Sequence, residues 1–142
     1  AIMETYKARN FQIGDFDAVI SLWKSAGIIL SHSDTPKGLK QKLERDADLF
    51  FVLEDETKNL IGAVMGSFDG RRGWINHLAI NPHYQGKGLG KLIMAELENR
   101  FREIGCEKVN LLIEPTNRAV QTFYEGLDYT ADELIFMEKW LS

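Results

Sequence analysis

Asn81-Pro82-His83-Tyr84-Gln85-Gly86-Lys87-Gly88-Leu89-Gly90 is the stretch that decides the fold. It follows a short apolar run, Trp74 to Ile80, that reads as a strand. It precedes Leu89 to Ile104, where Leu89, Leu92, Ile93, Leu97, Phe101 and Ile104 recur at helical spacing. A glycine-rich turn from a strand into a helix N-terminus turns several backbone N–H groups toward one point. The helix dipole favours negative charge at that point. Glycines at 86, 88 and 90 let a bulky anion approach the main chain without meeting a Cβ. The stretch therefore predicts a cradle for a phosphate or pyrophosphate. The plainer alternative is a tight strand–helix connection whose glycines only relieve crowding.

Two common phosphate loops are excluded by spacing. A Walker A loop needs Gly-Lys followed by Ser or Thr, and here Gly90-Lys91 is followed by Leu92. A dinucleotide fingerprint needs G-x-G-x-x-G, and the third glycine is misplaced in Gly86-Lys87-Gly88-Leu89-Gly90-Lys91.

Working outward, Tyr6 to Asn10 reads as a first strand. Asp15 reads as the N-cap of a helix bearing Phe16, Val19, Ile20 and Trp23 on one face, with Gly27 as its stop. Ser33-Asp34-Thr35 caps a second helix with Pro36 in its first turn and Leu39 and Leu43 pointing inward. Leu49 to Glu54 and Leu60 to Asp69 read as strands, joined by the polar turn Asp55 to Asn59. Gly105 ends the long helix, Val109 to Ile113 follows as a strand, and Asn117 caps a short helix through Glu125. Leu134 to Trp140 reads as a closing strand.

The chain has 142 residues and is expected to form one domain, residues 1–142. An apolar fraction of 44% supplies a real core and argues against disorder. A formal charge of −4 argues against nucleic-acid or anionic-membrane partners. No apolar run is long enough to cross a bilayer and no signal-peptide layout is present, so a cytoplasmic protein is expected. The sole cysteine, Cys106, fits a reducing compartment and reads as structural filler. His32, His77 and His83 are scattered and predict no metal site. Ala1-Ile2 ahead of Met3 reads either as an expression remnant or as native.

The spacing Gln85-x-x-Gly88-x-Gly90 resembles the pyrophosphate loop of the GCN5-related N-acetyltransferases, whose pattern is Arg/Gln-x-x-Gly-x-Gly/Ala. Leu78-Ala79-Ile80-Asn81-Pro82 resembles that family's strand and following turn. Asn117-Arg118-Ala119-Val120-Gln121-Thr122-Phe123-Tyr124 through Gly126 and Tyr129 resembles its "Asn-x-x-Ala-x-x-Phe-Tyr" segment. Asp128 departs from the pattern, standing where the family has Gly before the aromatic, and Asp tolerates the left-handed conformation that turn needs. The resemblance spans Gly73 to Tyr129.

It implies an α+β fold with a mixed, mostly antiparallel sheet and helices on both faces. The strands at Trp74–Ile80 and Val109–Ile113 would be parallel neighbours that splay apart. The implied activity is N-acetyl transfer from acetyl-CoA to a primary amine of a small molecule or protein. Two alternatives remain, a non-catalytic acyl-CoA-binding or sensor domain and a nucleotide-phosphate module. The implied partner is a small-molecule or peptide amine, and family members often form homodimers.

The resemblance also distributes roles. The backbone N–H groups of Gln85, Gly86, Lys87, Gly88, Leu89, Gly90 and Lys91 would hold the pyrophosphate, with Lys87 and Lys91 adding positive charge. The backbone of Leu78, Ala79 and Ile80 would pair with the pantetheine amides, and the Leu78 N–H would polarise the thioester carbonyl. Asn117 matches the family's pantetheine contact or is a plain N-cap. Ala119 and Phe123 would lie near the cofactor. Tyr124 would protonate the leaving sulfur.

The base is unassigned. Strand alternation puts Trp74, Asn76, Leu78 and Ile80 on one face and Ile75, His77 and Ala79 on the other, so His77 reads as a core histidine turned away. Glu114, at the end of the next strand, is the favoured candidate, with an Asn76-held water as another route. The acceptor region is expected at Gly27 to Thr35 and Phe68 to Gly73, with Trp23, Phe68 and Trp74 walling a pocket.

Overall fold

A computed structural model describes residues 6–142, so the reading of Ala1, Ile2 and Met3 lies outside the described residues. The chain divides into two compact units, one ending at Leu111 and one running from Leu112 to Ser142.

The first unit is built on a five-stranded sheet of order β1-β2-β3-β4-β5. Its strands are β1 Lys7–Asn10, β2 Phe50–Glu54, β3 Leu60–Phe68, β4 Arg72–Ile80 and β5 Lys108–Leu111. Neighbours run antiparallel except β4 and β5, which are parallel. Strand β2 is buried along its whole length, as its unbroken Phe50-Phe51-Val52-Leu53 run requires when both faces of a sheet are covered.

Helices α1 (Phe16–Ser25) and α2 (Pro36–Asp46) cover one face. Val19, Leu22 and Trp23 of α1 and Leu39 of α2 share a core with Phe50, Val52, Ala63, Met65 and Ala79 of the sheet. Thr35 caps α2 as expected, its hydroxyl accepting from the Gly38 N–H at 3.1 Å. Asp15 does not cap α1 with its side chain. Its carboxylate accepts from the Gln12 N–H at 2.9 Å and from both ends of the Arg9 guanidinium at 2.8 and 2.9 Å.

Helix α3 (Leu89–Glu103) covers the opposite face. It lies close because three strand positions carry no side chain. A Cβ on Gly62 would come within 2.9 Å of Ile93, one on Gly66 within 3.0 Å of Leu97, and one on Gly73 within 2.7 Å of the Phe101 ring. The helix ends at Gly105 (φ +80°), where the Cys106 N–H bonds back to the Phe101 carbonyl at 3.0 Å. Cys106 is buried, consistent with a filler role.

The second unit contains α4 (Arg118–Glu125), capped by Asn117 Oδ1, which accepts from the Val120 N–H at 3.2 Å. The chain then turns through Asp128 at φ +71°, the left-handed conformation expected where the family carries glycine. The expected closing strand, Leu134 to Trp140, is corrected: residues 130–142 form no regular element. A strand exists only where a neighbour takes up its backbone groups. Here Leu134, Ile135, Met137 and Leu141 are 81–91% exposed, and the Leu134 N–H bonds locally to Asp132. Strand β5 likewise stops at Leu111, not Ile113, because its pairing with β4 ends at Ile75↔Leu111.

The Gly73–Phe101 contact tests this packing. Gly73→Ala is expected to destabilise the protein by about 1–3 kcal/mol through overpacking, and Phe101→Leu in the same chain should recover part of the loss. A denaturant-unfolding double-mutant cycle measures this coupling; strict additivity would show that α3 does not seat on Gly73.

Candidate active site

The glycine loop sits where the sequence places it. Strand β4 leads through a short 3-10 turn, Pro82–Tyr84, into Gln85 and on to the N-terminus of α3. Asn81 fixes that turn by accepting from the His83 N–H at 2.9 Å. Gly86 and Gly88 adopt φ of +81° and +76°, the left-handed region that favours glycine. Gly88 is the N-cap of α3 and offers no side-chain oxygen to the helix. The first turn of any α-helix leaves its leading N–H groups without intrahelical acceptors, here those of Leu89, Gly90 and Lys91. That turn contains no acidic residue either. The positive end of the helix is thus uncompensated by the protein, and Lys87 and Lys91 add to it. A Cβ built on Gly86 or Gly88 meets nothing within 4 Å, so the space over the loop is open to an anion.

A tether not evident in the sequence holds the approach to this loop. The Tyr84 hydroxyl donates to Asp55 Oδ2 at 3.0 Å, tying the loop to the β2–β3 turn. Desolvation pushes the Asp55 carboxyl up. The Asn59 N–H, the Thr57 hydroxyl, the Tyr84 hydroxyl and the Thr57 N–H outweigh it and hold the group down at about 2. The Lys87 ammonium lies 5.8 Å from the centroid of the Tyr84 ring.

Strand β4 carries the second feature. Met65 pairs with Asn76, but Ala63 pairs with Ala79, so Val64 alone stands opposite both His77 and Leu78. This is a β-bulge, which leaves one residue without a place in the ladder and re-aims side chains. His77 holds φ +53° at this point. The bulge overturns the expected alternation. Ala63 and Met65 both face the core under α1 and α2, so their partners Ala79 and Asn76 share that face. His77 joins them: its ring meets Trp23 of α1 edge-on at 4.6 Å, and its Nε2 lies 3.1 Å from Asp34 Oδ2. The reading of His77 as turned away from Asn76 is therefore corrected. Ile80 instead pairs with Gly62, on the α3 face. Beyond Ile75, β4 has no β5 partner, so among the described residues Asn76 to Ile80 have no strand paired to them on that side.

The remaining expected site residues belong to the second unit. Glu114 is exposed in the segment after β5, where its carbonyl accepts from the Asn117 N–H at 2.9 Å. Asn117 caps α4, as above, and Ala119 is exposed in its first turn. Tyr124 is buried, its ring packed edge-on against Phe123 at 5.0 Å and Tyr129 at 5.4 Å. Burial pushes its phenol up to about 12.

In the acceptor region, Trp23 is fully buried and stacks on Phe50, so it cannot wall an open pocket. Phe68 lines a cavity of about 620 Å³ with Asn10, Arg45, Asp48, Glu96 and Arg100, away from the glycine loop. Asp69 holds its own turn, accepting from the N–H groups of Arg71 and Arg72 at 2.8 and 2.7 Å. Among the described residues no cluster suited to a metal ion is found, and no helix is long and apolar enough to cross a membrane.

The architecture is that of an α+β protein with a strand–glycine loop–helix connection beside a strand edge that β5 leaves unpaired. Solved structures share the fold. The PaiA N-acetyltransferase of Thermoplasma acidophilum, crystallised in complex with coenzyme A, superposes with a TM-score of 0.83 over 92% of this chain and 93% of its own, at 17% identity. Ard1 of Thermoplasma volcanium superposes with a TM-score of 0.80 over 89% of this chain and 83% of its own, also at 17% identity. At that identity the likeness speaks for the fold. Sequence goes further: an acetyltransferase of Yersinia pestis (strain Pestoides F) is 35% identical over 133 residues, covering 94% of each chain. An acetyltransferase of Sodalis glossinidius is 33% identical over 129 residues, covering 91% of this chain and 90% of its own. The pattern of the Acetyltransferase (GNAT) family matches residues 16–129, and the chain belongs to that family.

The left-handed glycine at 88 makes a separable prediction. Gly88→Ala should cost about 1–2 kcal/mol of stability through φ alone, since its added Cβ meets no neighbour within 4 Å. Gly88→Asn, which tolerates the left-handed region, should recover most of that loss. Thermal unfolding of the two variants measures this; equal losses would mean that the backbone angle is not what Gly88 supplies.

Proposed function

We propose that this acetyltransferase moves the acetyl group of acetyl-CoA to a primary amine of a small molecule or a protein. The observation that carries the reading is the loop from Gln85 to Lys91, an uncompensated helix N-terminus behind two left-handed glycines with open space above. A diphosphate fits that site in charge and in room. The coenzyme, when bound, supplies a thioester carbonyl activated toward nucleophiles.

The rest of the assignment follows from the chain's own groups. The N–H groups of Gln85, Gly86, Lys87, Gly88, Leu89, Gly90 and Lys91 hold the diphosphate. The open edge of β4 at Leu78, Ala79 and Ile80 receives an extended amide-bearing arm as an added strand. The Leu78 N–H, beside the bulge, donates to the thioester oxygen, where negative charge grows during attack. Asn117 spends its Oδ1 on the helix cap, which leaves its Nδ2 to donate to the same arm. Ala119 and Phe123 lie along that arm, as the family motif they match implies. The buried cysteine fits the cytoplasm.

Tyr124 is assigned to the leaving sulfur. With its phenol pushed up to about 12, it stays protonated at neutral pH. Complete transfer to a thiolate with an ordinary pKa of about 8.5 is uphill. Its contribution is therefore a hydrogen bond donated to the sulfur as negative charge develops, with the final proton coming from solvent.

Tyr124→Phe should lower kcat for amine-dependent CoA release by roughly 10²-fold while leaving the Kd for acetyl-CoA within about threefold. Full activity in this variant would remove Tyr124 from the reaction. Binding of acetyl-CoA without turnover of any amine would favour a sensor instead. The raised phenol has a second consequence. Its contribution to stability is fully present below the unfolded phenol's pKa of about 10 and is lost as pH rises toward about 12. The wild type should therefore lose stability across that window more steeply than Tyr124→Phe, as alkaline denaturant titrations would record.

A further inference from the structure

We propose that His77, oriented by Asp34, is the base that takes the proton from the acceptor amine. The proposal rests on the acetyl-transfer reading and names the group that reading lacks.

Position is the first argument. His77 directly precedes Leu78 within the bulge of β4, on the same face as Asn76. A side chain there stands one residue from the N–H assigned to the thioester oxygen. Its backbone holds φ +53°, an uncommon conformation for a non-glycine strand residue, and such departures gather at functional sites.

The second argument is the hydrogen bond. Asp34 is an acceptor, so the 3.1 Å contact requires the proton on Nε2 of the neutral ring. The lone pair is then on Nδ1, the tautomer a base needs. Asp34 cannot readily swing away: its side chain is only 6% exposed and also accepts from the Ser31 N–H at 3.0 Å. Trp23 meets the ring edge-on at 74° and fixes its plane. His77 itself is 25% exposed, so the ring is within reach of an incoming molecule while its orienting carboxylate is not.

The third argument is the surroundings. Asp34 faces the ring from the segment before α2, α1 meets it with untitratable Trp23, and β3 opposite the bulge is apolar at Ala63, Val64 and Met65. Within β4, His77 is the one side chain of the type that exchanges protons near neutral pH.

The step balances. The amine nitrogen attacks the thioester carbon, forming the N–C bond. The nitrogen's surplus proton passes to Nδ1, the C–S bond breaks, and the coenzyme leaves as its thiolate. Ionised Asp34 offsets the imidazolium, which returns its proton to solvent.

His77→Gln separates the base from a merely structural tie, because a glutamine amide can still donate to Asp34 but cannot accept the proton. CoA release is followed from pH 5 to 9 with saturating acetyl-CoA and a panel of a short peptide, a free amino acid, a polyamine and an aminoglycoside. His77→Gln should lose about 10²- to 10³-fold in kcat and lose the acid limb of the wild-type kcat profile, with acetyl-CoA affinity and melting temperature little changed. Nitrogen-15 NMR of the wild-type ring should show the neutral Nε2–H tautomer. An unchanged limb in His77→Gln, loss of that limb in Glu114→Gln instead, or an Nδ1–H tautomer would each overturn the proposal. If the wild type binds acetyl-CoA but turns over none of the amines, the acetyl-transfer reading falls and this proposal with it. Failure of the base alone leaves wild-type turnover intact.

Discussion

The close seating of α3 on the sheet is the constraint from which the site follows. Gly62, Gly66 and Gly73 leave no Cβ between the strands and the buried Ile93, Leu97 and Phe101 of the helix. Contact at several points along a helix fixes its direction as well as its depth. The N-terminus of α3 is held at the end of β4, and the glycine loop between them has one course to follow. A helix free to tilt would scatter the N–H groups that the loop and the first turn of α3 gather.

Strand β4 then changes its pairing along its length. Its upper half is paired on both sides through Ile75, and its lower half from Asn76 to Ile80 is paired with β3 alone. The bulge at His77 and Leu78 lies at that change. A regular strand would send His77 to the α3 face. One extra residue brings the histidine round to Asp34. The same irregularity links the electrophile's assigned oxygen donor to the proposed proton acceptor.

Asp34 shows how a loop residue acquires meaning from packing. In the sequence it belongs to a polar run, Ser31-His32-Ser33-Asp34-Thr35, that reads as a cap. In the structure Thr35 takes the cap and Asp34 is nearly buried against a strand 43 positions away. Burying a carboxylate is costly unless donors meet it, and here Ser31 and His77 do.

The local rules carried much of this molecule. Helical spacing marked α3, glycines 86 and 88 marked the loop, Asn117 and Thr35 marked their helix starts, and Asp128 took the left-handed turn foreseen for it. These features depend on neighbours within a few residues, and the chain states them directly. The apolar run at Leu134 to Trp140 formed no strand, since a strand's stability belongs to the pair. No residue type signalled the bulge, so the face of His77 could not be read. The Tyr84–Asp55 tether and the His77–Asp34 pair join positions 29 and 43 residues apart. Contacts of that kind are decided by strand register and helix packing, which arise only when the whole sheet assembles.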